Sequence, residues 1–279
     1  MEPTEKHTTS VFRNKKGLNV FYRNWKTDDS PKAVILLVHG FNSHSGYYHN
    51  FAMQLNEINF EVYAIDLVGR GQSDGERYYI RNYTNVLADI DQLFNIAKTD
   101  NPTQPVFLYG HSAGGVFASV YAVQRQDKLK GLIAASFAFQ IPAPGFALAI
   151  IKLLGYITPH TRLVKLNNED FSRDKSVVEA MNNDPLLANE KQPARTMQQL
   201  ILAAGYLTKR MSGIKIPLLI LHGTADKATQ PAGSQYFMEH ASSTDKKLKL
   251  YEGHYHDLLN DKYNEIVIMD IIRWLAEKV

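Results

Sequence analysis

The sequence predicts an α/β protein: a mostly parallel β-sheet with helices on both faces and a helical insertion late in the chain. Three observations carry this reading. Short apolar runs recur, the clearest being Val34-Ile35-Leu36-Leu37-Val38; a run without polar alternation suits a strand buried on both faces of a parallel sheet. Segments of 3.6-residue apolar periodicity separate the runs, which is the order of a sheet covered on both sides. About eighty residues lie between the runs starting at Leu132 and Leu218, far more than one crossover needs.

The elements follow in order. Residues 8–12 and 18–25 read as antiparallel strands at one edge, and residues 33–39 as the first buried strand. Further strands are expected at 61–65, 106–109, 132–135, 218–221 and 247–251. Val86, Leu87, Ile90, Leu93, Phe94 and Ala97 recur at helical spacing and predict a helix over 83–97. Residues 116–124 and 266–275 are the other core helices expected. The division is then 1–138 for the first part of the core, 139–212 for a helical cap and 213–279 for the second part of the core.

The cap opens on Pro142 and Pro144, continues through an apolar segment at 146–157, and carries helical patterns near 173–182 and 194–208. It is expected over the carboxyl ends of the strands, where open α/β sheets bind ligands. The segment 146–157 is apolar around most of a helix, with Lys152 alone as a charge. Two readings follow: it packs inward and lines a pocket, or part of it faces outward and docks shallowly on lipid.

Composition narrows the function classes. With 279 residues, 21% charged and a net charge of +3, the chain suits an ordinary globular protein and makes nucleic acid a poor partner. Having no cysteine, it has no disulfide, thiolate zinc site or cysteine nucleophile. Residues 1–13 are polar and lack the apolar core of a signal peptide. No run approaches the roughly 20 apolar residues that span a bilayer. The expected location is cytoplasmic, with peripheral membrane contact through the cap under the second reading.

The chemistry concentrates in Gly110-His111-Ser112-Ala113-Gly114. It matches G-x-S-x-G, and an apolar strand precedes it while a helical pattern follows. Such a turn exposes the serine hydroxyl beside a helix N-terminus, whose partial positive charge favours an oxyanion. A serine needs a base, and the base needs an orienting acid. On this scaffold the acid follows the penultimate strand and the base the last one. Asp226 follows Leu221-His222-Gly223-Thr224-Ala225, and the final strand leads into Gly253-His254-Tyr255-His256. Either histidine satisfies that order. The oxyanion hole requires the backbone N–H after the nucleophile, Ala113, and one from the loop after His39-Gly40, for which Phe41 is the natural donor. His39, His44, His49, His111 and His222 read as structural or supporting groups. No metal or organic cofactor is needed by this chemistry.

These motifs together resemble the monoacylglycerol lipase family of α/β-hydrolases over nearly the whole chain. The resemblance runs through His39-Gly40-Phe41 with His44-Ser45-Gly46 and through Asp66 with Gly71-Gln72-Ser73-Asp74-Gly75-Glu76-Arg77. It continues in 110–115, Asn183-Asp184-Pro185-Leu186, Gly223-Thr224-Ala225-Asp226, and Tyr251-Glu252-Gly253 ahead of Tyr255-His256. It implies an α/β-hydrolase fold, nucleophile Ser112, acid Asp226, and oxyanion donors Phe41 and Ala113. Because the family's base follows a tyrosine, it implies His256 as the base. Where the family carries a glutamate, an arginine and a cap tyrosine near the glycerol head group, this chain has Ser43, Tyr47 and Met181; after the nucleophile it has Ala113 for a methionine. The implied activity is cleavage of a monoacylglycerol or related single-chain ester through an acyl-enzyme, with weak glycerol recognition. The rivals are a lysophospholipase, a thioesterase or a general carboxylesterase, and, of another class, a non-catalytic binding protein on the same scaffold.

Overall fold

The computed structural model describes residues 7–187 and 190–279. Residues 1–6 of the polar N-terminal stretch, and 188–189 within the expected cap, lie outside the described residues. The strands are β1 (Thr8–Arg13), β2 (Asn19–Trp25), β3 (Ala33–Val38), β4 (Phe60–Ile65), β5 (Val106–His111), β6 (Gly131–Ala135), β7 (Arg162–Val164), β8 (Gln192–Pro193), β9 (Leu218–Gly223) and β10 (Lys246–Tyr251). The helices are α1 (His49–Glu57), α2 (Tyr83–Asp100), α3 (Ala113–Arg125), α4 (Gly145–Ile157), α5 (Lys175–Asn183), α6 (Ala194–Thr208), α7 (Pro231–His240) and α8 (Asn264–Ala276).

Eight strands form one sheet in the order β1-β2-β4-β3-β5-β6-β9-β10. The pairs β1–β2 and β2–β4 are antiparallel, as expected of an N-terminal edge; the remaining pairs are parallel. Every residue of β3, β4, β5, β6 and β9 is buried, which is the physical reason their sequences lack alternation. Alternate β3 residues feed different cores. Val34, Leu36 and Val38 pack with Leu93 of α2, Phe117 of α3 and Leu200 of α6. Ile35 and Leu37 pack with Phe51 of α1 and Trp274 of α8.

The sheet register aligns the chemically loaded ends. Val38 pairs with Gly110, His111 with Ala135, Ala135 with Leu221, and Gly223 with Tyr251. The loops that follow β3, β5, β9 and β10 therefore leave the sheet at one level, which is how residues far apart in sequence reach one site.

Two core helices were not anticipated by periodicity. Helix α1 buries only Phe51, Ala52 and Leu55, too sparse an apolar stripe to announce itself. Helix α7 starts with Pro231 in its first turn, a position that suits proline's fixed φ. Between β6 and β9 the chain forms α4, α5 and α6 and also the small antiparallel pair β7–β8, so the segment is not wholly helical. Helix α6 packs on both α3 and α4.

The loop after β4 seats this segment. Thr196 accepts from Ile80 N–H at 2.8 Å and donates to Tyr78 O at 2.8 Å. Arg77 donates to Leu186 O. Arg70 is also buried: its Nη2 lies 2.5 Å from Gln192 Oε1 and 3.4 Å from Glu190 Oε1, with both charged side chains about 1% exposed. Burial pulls the Arg70 guanidinium below its ordinary range, against the pull of Glu190. Because one partner removed leaves a buried charge uncompensated, Glu190→Ala is expected to lower unfolding stability by about 3–5 kcal/mol. Combining Arg70→Met with Glu190→Leu should recover most of that loss, and urea denaturation of the two variants provides the measurement.

Candidate active site

Ser112 sits where β5 turns into α3, with φ 55° and ψ −123°. A non-glycine residue there is strained by about 1–3 kcal/mol, so its surroundings must hold it. Ser112 N–H donates to Ala135 O at 2.9 Å, and Ser112 O accepts from Gly115 N at 3.0 Å and Ala138 N at 3.0 Å. Close approach explains two glycines. A Cβ on Gly114 would lie 2.3 Å from the carbonyl oxygens of Val38 and His39, and one on Gly40 would lie 2.6 Å from Ser112 Cβ. The turn and the loop after β3 are thus pressed together, with only backbone between them.

Phe41 directly follows Gly40, and Ala113 directly follows Ser112, on either side of that contact. Both are buried, at 3% and 0% exposure. Ala113 opens α3, so its N–H has no partner within the helix. The Phe41 ring is held by the Arg70 guanidinium, 4.4 Å above its centre. His39 is structural: Nε2 accepts Leu67 N–H at 3.0 Å, which leaves the proton on Nδ1 for Gly40 O at 2.6 Å. Burial pushes its imidazole down to about 4, so it stays neutral.

The two C-terminal histidines separate cleanly. His256 Nδ1 lies 2.7 Å from Asp226 Oδ2, and both side chains are almost wholly buried. His254 turns the other way, its Nδ1 lying 3.6 Å from Asp261 Oδ2. Burial, then the Arg173 charge, lowers the His254 imidazole below its ordinary range. The His256 ring is walled by Phe171, edge-on at 4.9 Å between centres, and by His111, also at 4.9 Å. His111 Nε2 donates to His256 O at 3.2 Å and its Nδ1 accepts from Tyr48 Oη at 3.2 Å. Burial, with His256 alongside, holds His111 down to about 3. It therefore buttresses His256 without carrying charge.

Asp226 is buried, which by itself would raise its carboxyl. The nearby His256, and hydrogen bonds from His222 and His256, outweigh burial and hold it well below the usual carboxylate range. His222, expected as a structural or supporting residue, also reaches Asp226, with 3.1 Å from Nε2 to Oδ2, a contact the sequence does not indicate directly. The i,i+4 spacing of His222 and Asp226 was the available signal, but it lies across a turn and not on a helix face.

Of the positions near the expected head-group site, Met181 points into an apolar cluster with Phe171 and Leu187. Tyr47 is less apolar in effect than its place suggests. Its hydroxyl donates to Asp184 Oδ2 at 3.0 Å, beside His44 Nε2 at 2.9 Å from the same oxygen. Two apolar cavities adjoin. One of about 220 Å³ is lined by Ile151, Leu166, Phe171, Met197, Lys227 and Ala228. The other, of about 280 Å³, is lined by Phe139, Leu148, Leu200, Ile201 and Ala204. They share Ile141 and Ala143.

Helix α4 faces solvent to an extent the inward reading did not expect. Phe146 is 71% exposed and Tyr156 65%, with Ile150, Leu153 and Ile157 also exposed. Gly155 is its one buried residue. The opposite side, through Leu148 and Ile151, lines the cavities. Among the described residues no helix is long and apolar enough to cross a membrane.

The chain is similar to known proteins along most of its length. A family model described as "Hydrolase_4: Serine aminopeptidase, S33" matches residues 29–263. A Monoglyceride lipase of Rattus norvegicus is 34% identical over 272 residues, 95% of this chain and 89% of its own length. A Monoacylglycerol lipase of Mycolicibacterium smegmatis is 30% identical over 262 residues, 93% of this chain and 94% of its own. The crystal structure of the Paleococcus ferrophilus monoacylglycerol lipase superposes with a TM-score of 0.85 at 31% identity, covering 93% of this chain and 99% of that one. With the sheet order, the Ser112 turn and these matches in agreement, the chain belongs to this family of serine α/β-hydrolases, in the company of the monoacylglycerol lipases.

Proposed function

We propose that the protein hydrolyses monoacylglycerols and related single-chain esters, with Ser112 as nucleophile, His256 as base and Asp226 as the acid that orients it. The observation that carries this reading is the buried 2.7 Å contact between His256 Nδ1 and Asp226 Oδ2, beside a serine on a strained strand-to-helix turn. The proton on Nδ1 is then committed to Asp226, and Nε2 is left free to accept the Ser112 proton. Oγ attacks the ester carbonyl, and the oxyanion takes hydrogen bonds from Phe41 and Ala113 N–H. Collapse expels the alcohol, which takes its proton from His256. Water, deprotonated by His256, then attacks the acyl-enzyme and releases the fatty acid and Ser112. No cofactor enters these steps.

Residues 139–212 act as the cap. The two cavities, which share Ile141 and Ala143 in their linings, suit an acyl chain, since each buried methylene contributes about 0.8 kcal/mol. The family description names an aminopeptidase, but relatives at 30–34% identity are named as lipases, and an apolar cleft suits a lipid better than a peptide. In the head-group region the Tyr47 hydroxyl is already spent on Asp184, and Met181 offers no donor. Glycerol therefore adds little selectivity. The chain works as a cytoplasmic enzyme that visits lipid surfaces through α4, whose exposed Phe146, Ile150, Leu153, Tyr156 and Ile157 form an apolar face with few charges.

Three outcomes test this reading. The wild type should be labelled by a fluorophosphonate and should cleave a monoacylglycerol only a small factor faster than the matching methyl ester; Ser112→Ala should lose both labelling and turnover while keeping its melting temperature. Persistent turnover would remove Ser112 from its role, and a glycerol preference on the order of 10⁴ would show that buried polar groups recognise the head group. Next, His256→Ala should cost kcat about as much as losing the serine, because the groups act as a unit, whereas His254→Ala should cost far less; the reverse ranking would reassign the base. Finally, Ile150→Asp with Leu153→Asp should reduce co-sedimentation with lipid vesicles yet leave hydrolysis of a soluble short ester intact. Unchanged sedimentation would take α4 out of membrane docking.

A further inference from the structure

Asp226 receives more donors than orienting a single histidine requires. Its Oδ1 accepts the backbone N–H groups of Ala228 at 2.8 Å and Thr229 at 2.9 Å. Its Oδ2 lies 2.7 Å from His256 Nδ1, 2.7 Å from Thr229 Oγ1 and 3.1 Å from His222 Nε2. His222 projects from the end of β9, and its side chain, like that of Asp226, is 0% exposed. On the far edge of its ring, Nδ1 lies 2.7 Å from the hydroxyl of Ser234 in α7, and Ser234 is itself fully buried.

We propose that His222 is a positioning residue for the hydrolytic reaction, held by Ser234 with its Nε2 against both Asp226 Oδ2 and Thr229 Oγ1, so that it sets how much of that carboxylate's charge is left for His256. This rests on Asp226 being the triad acid. A neutral imidazole has one N–H, and the partner of the other nitrogen decides where it sits. The Asp226 carboxylate can only accept, so the proton belongs on Nε2, and the Ser234 hydroxyl then donates to Nδ1. The Thr229 hydroxyl also has one proton, and it lies 3.1 Å from Ser136 O as well as close to Asp226. The His222 Nε2–H is shared between Asp226 Oδ2 at 3.1 Å and Thr229 Oγ1 at 3.2 Å, so it acts on the carboxylate both directly and through the Thr229 hydroxyl, which lies 2.7 Å from Oδ2. A hydrogen bond to a buried carboxylate fixes its plane and spreads its charge. The attraction of Asp226 for the His256 imidazolium is correspondingly moderated, so the base gives its proton to the leaving alcohol more readily.

Other titratable groups face this pair. His111 comes from β5, Asp257 adjoins His256 with its carboxyl raised by burial, and Lys227 next to Asp226 reaches outward to Asp170 at 3.8 Å. All are retained in the variants that isolate His222. The sign of the effect follows. Without the His222 donor, more of the Asp226 charge acts on His256, the protonated imidazole is favoured, and the acid limb of activity moves to higher pH.

The experiment compares His222→Leu, His222→Gln and Ser234→Ala on a soluble short-chain p-nitrophenyl ester across pH, with melting temperatures alongside. In His222→Leu, kcat should fall about tenfold with KM within about twofold of wild type, and the acid limb of kcat/KM should rise by roughly half to one pH unit. His222→Gln, which keeps an amide donor, should restore most of the rate and return the limb. Ser234→Ala should move the limb in the same direction by less. A folded His222→Leu with an unmoved limb, or a glutamine variant as damaged as the leucine one, would overturn the proposal. If His222→Leu does not fold, an unmoved limb in Ser234→Ala overturns it equally. Asp226→Asn separates the two levels: if that variant stays active, the triad reading itself fails, whereas if it is inactive and the limb in His222→Leu is unmoved, only the role of His222 fails.

Discussion

The site depends on the tight turn at Ser112, where a buried parallel strand reverses into a helix with no room for side chains on the inner side. The positive φ of Ser112 would relax if the neighbouring backbone allowed it. It does not, because Gly114 lies against the carbonyls that end β3, and Gly40 lies against Ser112 itself. Each contact exists only while β3 and β5 stay paired at the centre of the sheet, which ties the geometry of Ser112 to the most deeply buried part of the molecule. The strain is local and small beside the apolar burial that opposes its release.

A second centre of organisation is Asp226. A carboxylate taken out of water is costly unless its lone pairs are filled, and here backbone N–H groups fill one oxygen while side chains crowd the other. The elements that contribute are β9, the turn after it, α7 through Ser234, and the loop after β10 that carries His256. The same arrangement that makes the buried charge tolerable also orients the histidine, so the energetics of the fold and the geometry of the chemistry are one problem with one solution.

The segment between β6 and β9 is attached differently. Its seat is the loop after β4, through Thr196, Leu186 and the Arg70–Glu190–Gln192 cluster, and Arg70 reaches from that cluster to the face of Phe41. One buried cation thus touches both this segment and the loop after β3. Helix α4 is held on its Leu148–Ile151 side and bare on the other, a distribution that lets one element line an apolar cavity and present an apolar surface.

Much of this was legible in the residues. Unbroken apolar runs gave away the buried strands, because a strand covered on both faces has no polar side. The G-x-S-x-G turn and the order of Ser112, Asp226 and the late histidines followed from the alternation of strand and helix. What sequence could not decide were matters of direction. A helix apolar nearly all round has no periodic signal to say which face is buried, so the exposure of Phe146 and Tyr156 emerged only once α4 was packed against α6. His254 and His256 are alike by position, and the family resemblance alone singles out His256; the path of the loop after β10 then turns it toward Asp226 and His254 toward Asp261. His222 lies four residues before Asp226 on a strand that then turns, so their spacing alone does not say that they meet. Sequence by itself determined which residues must be buried and which chemistry was present, because those depend on side-chain type and local period; the tertiary structure alone decided which groups meet, because a hydrogen bond depends on distances of tenths of an ångström that only the packed sheet sets.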